Sequence, residues 1–172
     1  MTSADLVIRP VERRDFARLW PIIEAVIRDG TSNALPREMG ADAAVEYWFA
    51  PATRVFLAEA SDEVLGTYHL RANQQGGGNH VANAGFMTAP HARRRGIARA
   101  MAAHALETAM ALGFTAMQFN FVVSSNERAV RLWRSLGFVI VGTLPDAFRL
   151  PDGRLVDVFV MYRKLSPPPP RP

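Results

Sequence analysis

Residues 90–98 read Pro-His-Ala-Arg-Arg-Arg-Gly-Ile-Ala, a basic turn that runs directly into an apolar helical pattern. The first backbone N–H groups of a helix have no partner within it, so such a junction points donors outward and favours an anion. Gly96 lets the backbone approach a ligand closely, and Arg93, Arg94 and Arg95 bring three guanidinium forks to the same place. A solvated basic face is the plainer reading. The coincidence of the arginines with a helix start and a glycine favours a phosphate cradle.

Outward from this turn, Ile97, Met101, Ala105, Leu106, Ala109 and Leu112 form one stripe of a helix over Ile97 to Leu112, stopped by Gly113. Upstream, Arg54 to Ala60, Val64 to Arg71 and His80 to Thr88 read as strands, the last two separated by a glycine-rich loop at Asn73 to Asn79. Downstream, the strand Phe114 to Val123 meets the capping residues Ser124, Ser125 and Asn126, then a helix from Glu127 to Leu136. Strands at Phe138 to Leu144 and Val156 to Arg163 follow, with turn chemistry between them at Pro145-Asp146 and Pro151-Asp152-Gly153. The chain opens with a strand at Leu6 to Arg9, a helix over Val11 to Arg28 that Pro21 would kink, and a helix at Ala41 to Phe49. This order predicts an α/β fold, a mixed sheet with helices on both faces, in one domain over residues 1–165. Residues 166–172 are proline-rich and read as an extended tail.

Length and composition set limits. A chain of 172 residues, 49% hydrophobic and 21% charged, can bury one substantial core. No apolar run approaches the roughly 20 residues of a membrane span, and no leader pattern opens the sequence, so a cytoplasmic protein without a membrane partner is expected. The absence of cysteine excludes a thiolate metal site and an acyl-cysteine intermediate. No histidine pair has ligand spacing, so no metal is expected. The net charge of +4 rests on arginine, but apart from the cluster at Arg93 to Arg99 these residues are scattered, which argues against nucleic acid. No Asp or Glu falls between Glu63 and Glu107, an interval that holds His69, Arg71, His80, His91 and four further arginines. That segment tolerates anions and disfavours a polyamine.

The motif Arg93-x-x-Gly96-x-Ala98 resembles the Arg/Gln-x-x-Gly-x-Gly/Ala signature of the GCN5-related N-acetyltransferases. A second block, Asn126-x-x-Ala129-x-x-Leu132-Trp133-x-x-x-Gly137-Phe138, is similar to that family's Asn-x-x-Ala-x-x-Leu-Tyr-x-x-x-Gly-Phe pattern. The resemblance implies a mostly antiparallel sheet whose central strands splay apart around the pantetheine of acetyl-CoA, the cosubstrate. It also implies that the backbone of Phe86, Met87 and Thr88 holds that arm and polarises the thioester. Arg93, Arg94, Arg95, Gly96, Ile97 and Ala98 would receive the pyrophosphate, Asn126 would contact pantetheine, and Trp133 would stand where the family usually has tyrosine. Family members are often dimers, so a homodimer is an expectation.

Trp133 removes the usual general acid, because an indole N–H is far too weak an acid to protonate the departing thiolate; Tyr162 is a substitute to be placed by structure. Asn83 and Asn120 are polar residues inside apolar strands, and each needs a partner. The plain partner is backbone. The functional one is the acceptor, with Asn83 holding its carboxylate or amine and Asn120, with Asn126, serving the chemistry. For a base, water relayed through an asparagine or a carbonyl is preferred over His80.

The segments 81–86 and 118–123, with Asn126, also resemble the fungal acetyltransferases that detoxify proline analogues. The reading is therefore direct N-acetylation of a small amine that carries a carboxylate. A protein or peptide acetyltransferase and a non-catalytic acyl-CoA-binding module are the alternatives, with RNA binding through the arginine turn a weaker one.

Overall fold

The computed structural model describes residues 6–165. Seven strands form one sheet: β1 (Val7–Pro10), β2 (Arg54–Ala60), β3 (Glu63–Ala72), β4 (Val81–Thr88), β5 (Ala116–Val123), β6 (Val139–Arg149) and β7 (Leu155–Lys164). Four helices accompany them: α1 (Phe16–Asp29), α2 (Ala41–Trp48), α3 (Ile97–Ala111) and α4 (Glu127–Ser135). The strand order is β1-β2-β3-β4-β5-β7-β6, antiparallel at every pairing except β4 with β5. This is the mixed sheet expected from the element order, and mostly antiparallel as the family resemblance implies.

Strands β2 and β3 are apolar on both faces because both faces are covered. On one face, Phe56 of β2 stacks on its cross-strand partner Tyr68, and Tyr68 on Phe86 of β4, with ring centroids 4.7 and 5.3 Å apart. Helix α3 lies over these rings: the Tyr68 hydroxyl is hydrogen-bonded to Nδ1 of His104 at 2.6 Å. On the opposite face, Trp48 of α2 donates from Nε1 to Thr67 Oγ1 at 3.3 Å, and Thr67 donates in turn to the Phe56 carbonyl at 2.8 Å. Helix α1 joins α2 on that side through the edge-to-face contact of Phe16 with Phe49. Strand alternation thus assigns Thr67, His69 and Arg71 to the α1–α2 face and Tyr68 to the α3 face.

Several boundaries differ from the sequence reading. A 3₁₀ turn at Arg13–Asp15 precedes α1, with the Glu12 N–H donating to the Asp15 carboxylate, so the helix begins at Phe16 rather than Val11. It then runs through Pro21 to Gly30, whose φ of 65° ends it. Strand β6 continues through Pro145 and Asp146, which the turn chemistry had assigned to a loop; irregular register between Leu144 and Phe148 absorbs them. As a sheet edge, β6 can carry a proline without losing a ladder hydrogen bond inside the sheet. The proline-rich segment 166–172 lies outside the described residues.

Candidate active site

The sheet forks between β4 and β5. Only Val81 with Ala116 and Ala82 with Met117 pair as backbone. At the next position the side chain of Asn83 donates from Nδ2 to the Gln118 carbonyl at 2.9 Å, after which no ladder joins the strands. The wedge opens two cavities, of about 480 and about 680 Å³, with Phe86, Met87, Asn126 and Trp133 lining both. The two cavities therefore adjoin along these residues.

The larger cavity is the basic one. Thr88, Arg93, Arg94, Gly96, Ile97, Ala98 and Arg99 line it from β4 and the start of α3, while Arg128 and Arg154 reach it from the far wall. Gly96 at φ 79° turns the chain into α3, where no side chain caps the first turn and the Ala100 N–H to the Gly96 carbonyl, 3.0 Å, starts the ladder. An added Cβ on Gly96 would meet nothing within 4 Å, so the glycine serves the backbone angle and not space. Arg94 is also left-handed at φ 67°. An uncapped helix start among arginines fits a pyrophosphate. Arg95, expected with its neighbours, is exposed in the same turn and is not among the residues lining the cavity. Ile97 buries its side chain in the core and offers the cavity its backbone.

Helix α4 supplies the shared wall. Asn126 caps it, Oδ1 accepting the Ala129 N–H at 3.3 Å, and the residue lines both cavities. Trp133 is 8% exposed and packs on Phe119 and Phe86 with centroid separations of 4.7 and 5.1 Å. Tyr162, the substitute for the missing phenol, lines neither cavity.

The smaller cavity lies under α2 and the loop 32–35, which Asn33 holds by accepting the Leu35 N–H at 3.0 Å and donating to the Val26 carbonyl at 3.3 Å. Asn83 and Asn120 both line it. Asn120 is committed to a side-chain chain in which Gln118 donates to its Oδ1 at 2.8 Å and its Nδ2 donates to Asn73 at 2.7 Å. His80 is exposed just before β4 and outside both cavities. Two further residues of β3 enter instead. Arg71 sits over the Tyr47 ring at 5.4 Å and is the only charged side chain among those lining this cavity. His69 is buried, its Nδ1 unpartnered, and burial, followed by the Arg71 charge, pushes its pKa down to about 3. Neither residue matches a motif; the period-two alternation of β3 and the acid-free interval around it were the available signals. Among the described residues no cluster of His, Asp and Glu could hold a metal.

The model of the acetyltransferase (GNAT) family matches residues 20–138, which include both the arginine turn and the Asn126–Phe138 block. The chain belongs to the GNAT family. A GCN5-related N-acetyltransferase from Kribbella flavida is 37% identical, with a TM-score of 0.90 over 95% of this chain and 100% of that one. N-acetyltransferase aca1 of Schizosaccharomyces pombe is 37% identical over 87 residues, 51% of this GNAT chain; the match spans 42% of that relative's length. At 19% identity, an acetyltransferase from Salmonella typhimurium with its cofactor acetyl-CoA shares the fold, with a TM-score of 0.83 over 98% of each chain. Membership makes the GNAT chain an acetyl-CoA-dependent acyltransferase by family; its larger cavity is lined by five arginines and one carboxylate, Asp29.

Proposed function

We propose that this GNAT protein transfers the acetyl group of acetyl-CoA directly to the amine of a small acceptor that carries a carboxylate. The observation that carries the reading is the charge of the smaller cavity: Arg71 lines it, no Asp or Glu does, and among the described residues the guanidinium has no carboxylate partner. A cation would meet repulsion there, and an anion would meet a planar two-donor fork. At about 480 Å³ the space suits an amino acid or analogue, with α2 and loop 32–35 forming part of its lining.

In this reading Arg93, Arg94, Gly96, Ile97 and Ala98 hold the pyrophosphate, the backbone of Phe86, Met87 and Thr88 holds the pantetheine arm, and Asn126 and Trp133 close the far side. Backbone donors aimed at developing oxyanion charge contribute a few kcal/mol to the transition state. With no cysteine available, the amine attacks within a ternary complex. The departing thiolate, with an ordinary pKa near 8.5, leaves without a phenolic acid, consistent with Trp133. Asn83 keeps its carbonyl oxygen for the acceptor while its amide spans the fork, and Asn120 orients the acceptor from the opposite strand. A homodimer is supported by the edge strand β6, where Val139 and Val141 are exposed by 58% and 57%.

The experiment is thiol release from acetyl-CoA with amino acids, proline analogues, simple amines and short peptides. Turnover is expected with the carboxylate-bearing amines and not with their decarboxylated counterparts. Turnover confined to peptides would replace this reading with peptide acetylation. Saturable acetyl-CoA binding without release for any acceptor would replace it with a binding module. Light scattering of the same sample measures the dimer.

A further inference from the structure

The acceptor cavity contains one side chain able to take a proton from an attacking amine, and no motif draws attention to it. His69 pairs across the β3–β4 ladder with Gly85, the residue before Phe86, so its ring lies beside the place where the two cavities meet. An added Cβ on Gly85 would lie 2.5 Å from His69 Nε2, so the imidazole occupies the space that any other residue would fill. Gly85 has no positive φ, which makes it a glycine of close approach rather than of backbone conformation. The ring is gripped edge-to-face by Trp48 at 4.8 Å and Tyr47 at 5.8 Å, and Trp48 is itself anchored through Thr67. Nδ1 is buried without a polar partner, and no protein group hydrogen-bonds Nε2 among the described residues.

We propose that His69 is the proton acceptor of the acetyl transfer, taking the N–H of the neutral acceptor amine at Nε2. This rests on the acetyltransferase reading above and adds a residue to it. Nδ1 is fully buried whereas Nε2, which has no hydrogen-bond partner either, is not, so the tautomer assigned here carries its proton on Nδ1. That tautomer turns the Nε2 lone pair to the cavity. The groups facing the ring are the Arg71 guanidinium from its own strand, the Tyr47 phenol and the Trp48 indole from α2, and the uncharged backbone of Gly85 from β4; no carboxylate lines the cavity. The imidazole therefore stays neutral, and an ammonium acceptor is disfavoured by the same arginine that suits the acceptor's carboxylate.

The proton moves late. As the acceptor nitrogen forms its bond to the acetyl carbon and the carbon–sulfur bond breaks, the nitrogen lone pair is drawn into the amide and its N–H becomes strongly acidic. Even a weakly basic imidazole then accepts the proton, which passes on to the thiolate. The products are the N-acetyl compound and CoA thiol, and the imidazole ends neutral as it began.

The test compares native protein with His69→Gln, His69→Ala and Gly85→Ala. Acetyl-CoA affinity by calorimetry and circular dichroism are expected to be unchanged, while kcat falls about 100-fold or more in each. Free imidazole is expected to restore part of the His69→Ala rate, which a purely structural histidine would not allow. For native protein, kcat/KM is expected to rise with pH along the acceptor's own amine titration and to follow it across acceptors of different basicity. Nitrogen NMR of labelled His69 is expected to show a neutral Nδ1–H ring at pH 5. Variants with kcat within threefold of native, or an imidazolium at pH 5, overturn the assignment while leaving the acetyltransferase intact. Absence of any acceptor-dependent release by native protein overturns both.

Discussion

Asn83 and Gln118 are the last link between β4 and β5: the amide of one donates to the backbone carbonyl of the other at 2.9 Å, at the first position where the ladder fails. A side chain thus does the work of a backbone pair and sets the point from which the strands diverge. Asn83→Ala should leave the Gln118 carbonyl unpaired, costing about 1–3 kcal/mol in denaturant unfolding. It should also raise the KM for the acceptor more than that for acetyl-CoA. Equal KM changes would show that Asn83 shapes the fork without touching the acceptor.

The arginine turn gives a prediction that separates neighbours. Arg93 and Arg94 line the larger cavity and Arg95 does not. Loss of one charge-assisted contact is worth about 1.5–3 kcal/mol, so Arg93→Ala and Arg94→Ala should each raise the acetyl-CoA KM about tenfold or more. Arg95→Ala should change it little. Steady-state kinetics at fixed acceptor tests this, and a uniform effect of all three would mean a diffuse field instead of specific contacts.

Gly96→Ala tests the helix start itself. Open space surrounds an added Cβ, so the cost is the left-handed backbone at φ 79°, about 1 kcal/mol. Melting should fall modestly while the acetyl-CoA KM rises several-fold, because relief of the strain moves the first N–H groups of α3.

His69 predicts acid sensitivity, whatever its chemistry. Its folded-state pKa of about 3 lies below its ordinary 6.5, so the unfolded chain takes up the proton first as pH falls. The stability gained by keeping it neutral is complete above pH 6.5 and is lost progressively from there to about pH 3, by up to about 5 kcal/mol. His69→Gln should flatten this part of the stability profile, measured by denaturant titration at pH 7 and pH 4.5. An unchanged profile would mean that the imidazole is solvated.

On the other face, Tyr68 and His104 tie β3 to α3 through a hydroxyl to Nδ1 contact of 2.6 Å. Burial raises the phenol's pKa and lowers that of the imidazole, so both groups of the pair are neutral. Tyr68→Phe should cost about 1 kcal/mol of stability and leave kcat unaltered. A fall in kcat without loss of stability would tie this face to catalysis.

The sequence by itself determined the elements and one half of the site. Apolar period-two and helical stripes place the strands and helices, because burial on one face requires those repeats. The spacing of Arg93, Gly96 and Ala98 marks the phosphate turn, since a helix start presents its donors locally and needs no distant partner. The cap at Asn126 and the stop at Gly137 are local in the same way. Tertiary structure alone decided what depends on facing. Pro145 and Asp146 lie in a strand because β6 is a sheet edge with irregular register. Arg93 and Arg94 line the larger cavity, Arg71 lines the smaller one, and His69 rather than His80 lies beside the fork. Those assignments follow from which strand pairs with which and from α2 closing over one face, relations between residues far apart in the chain that no local pattern encodes.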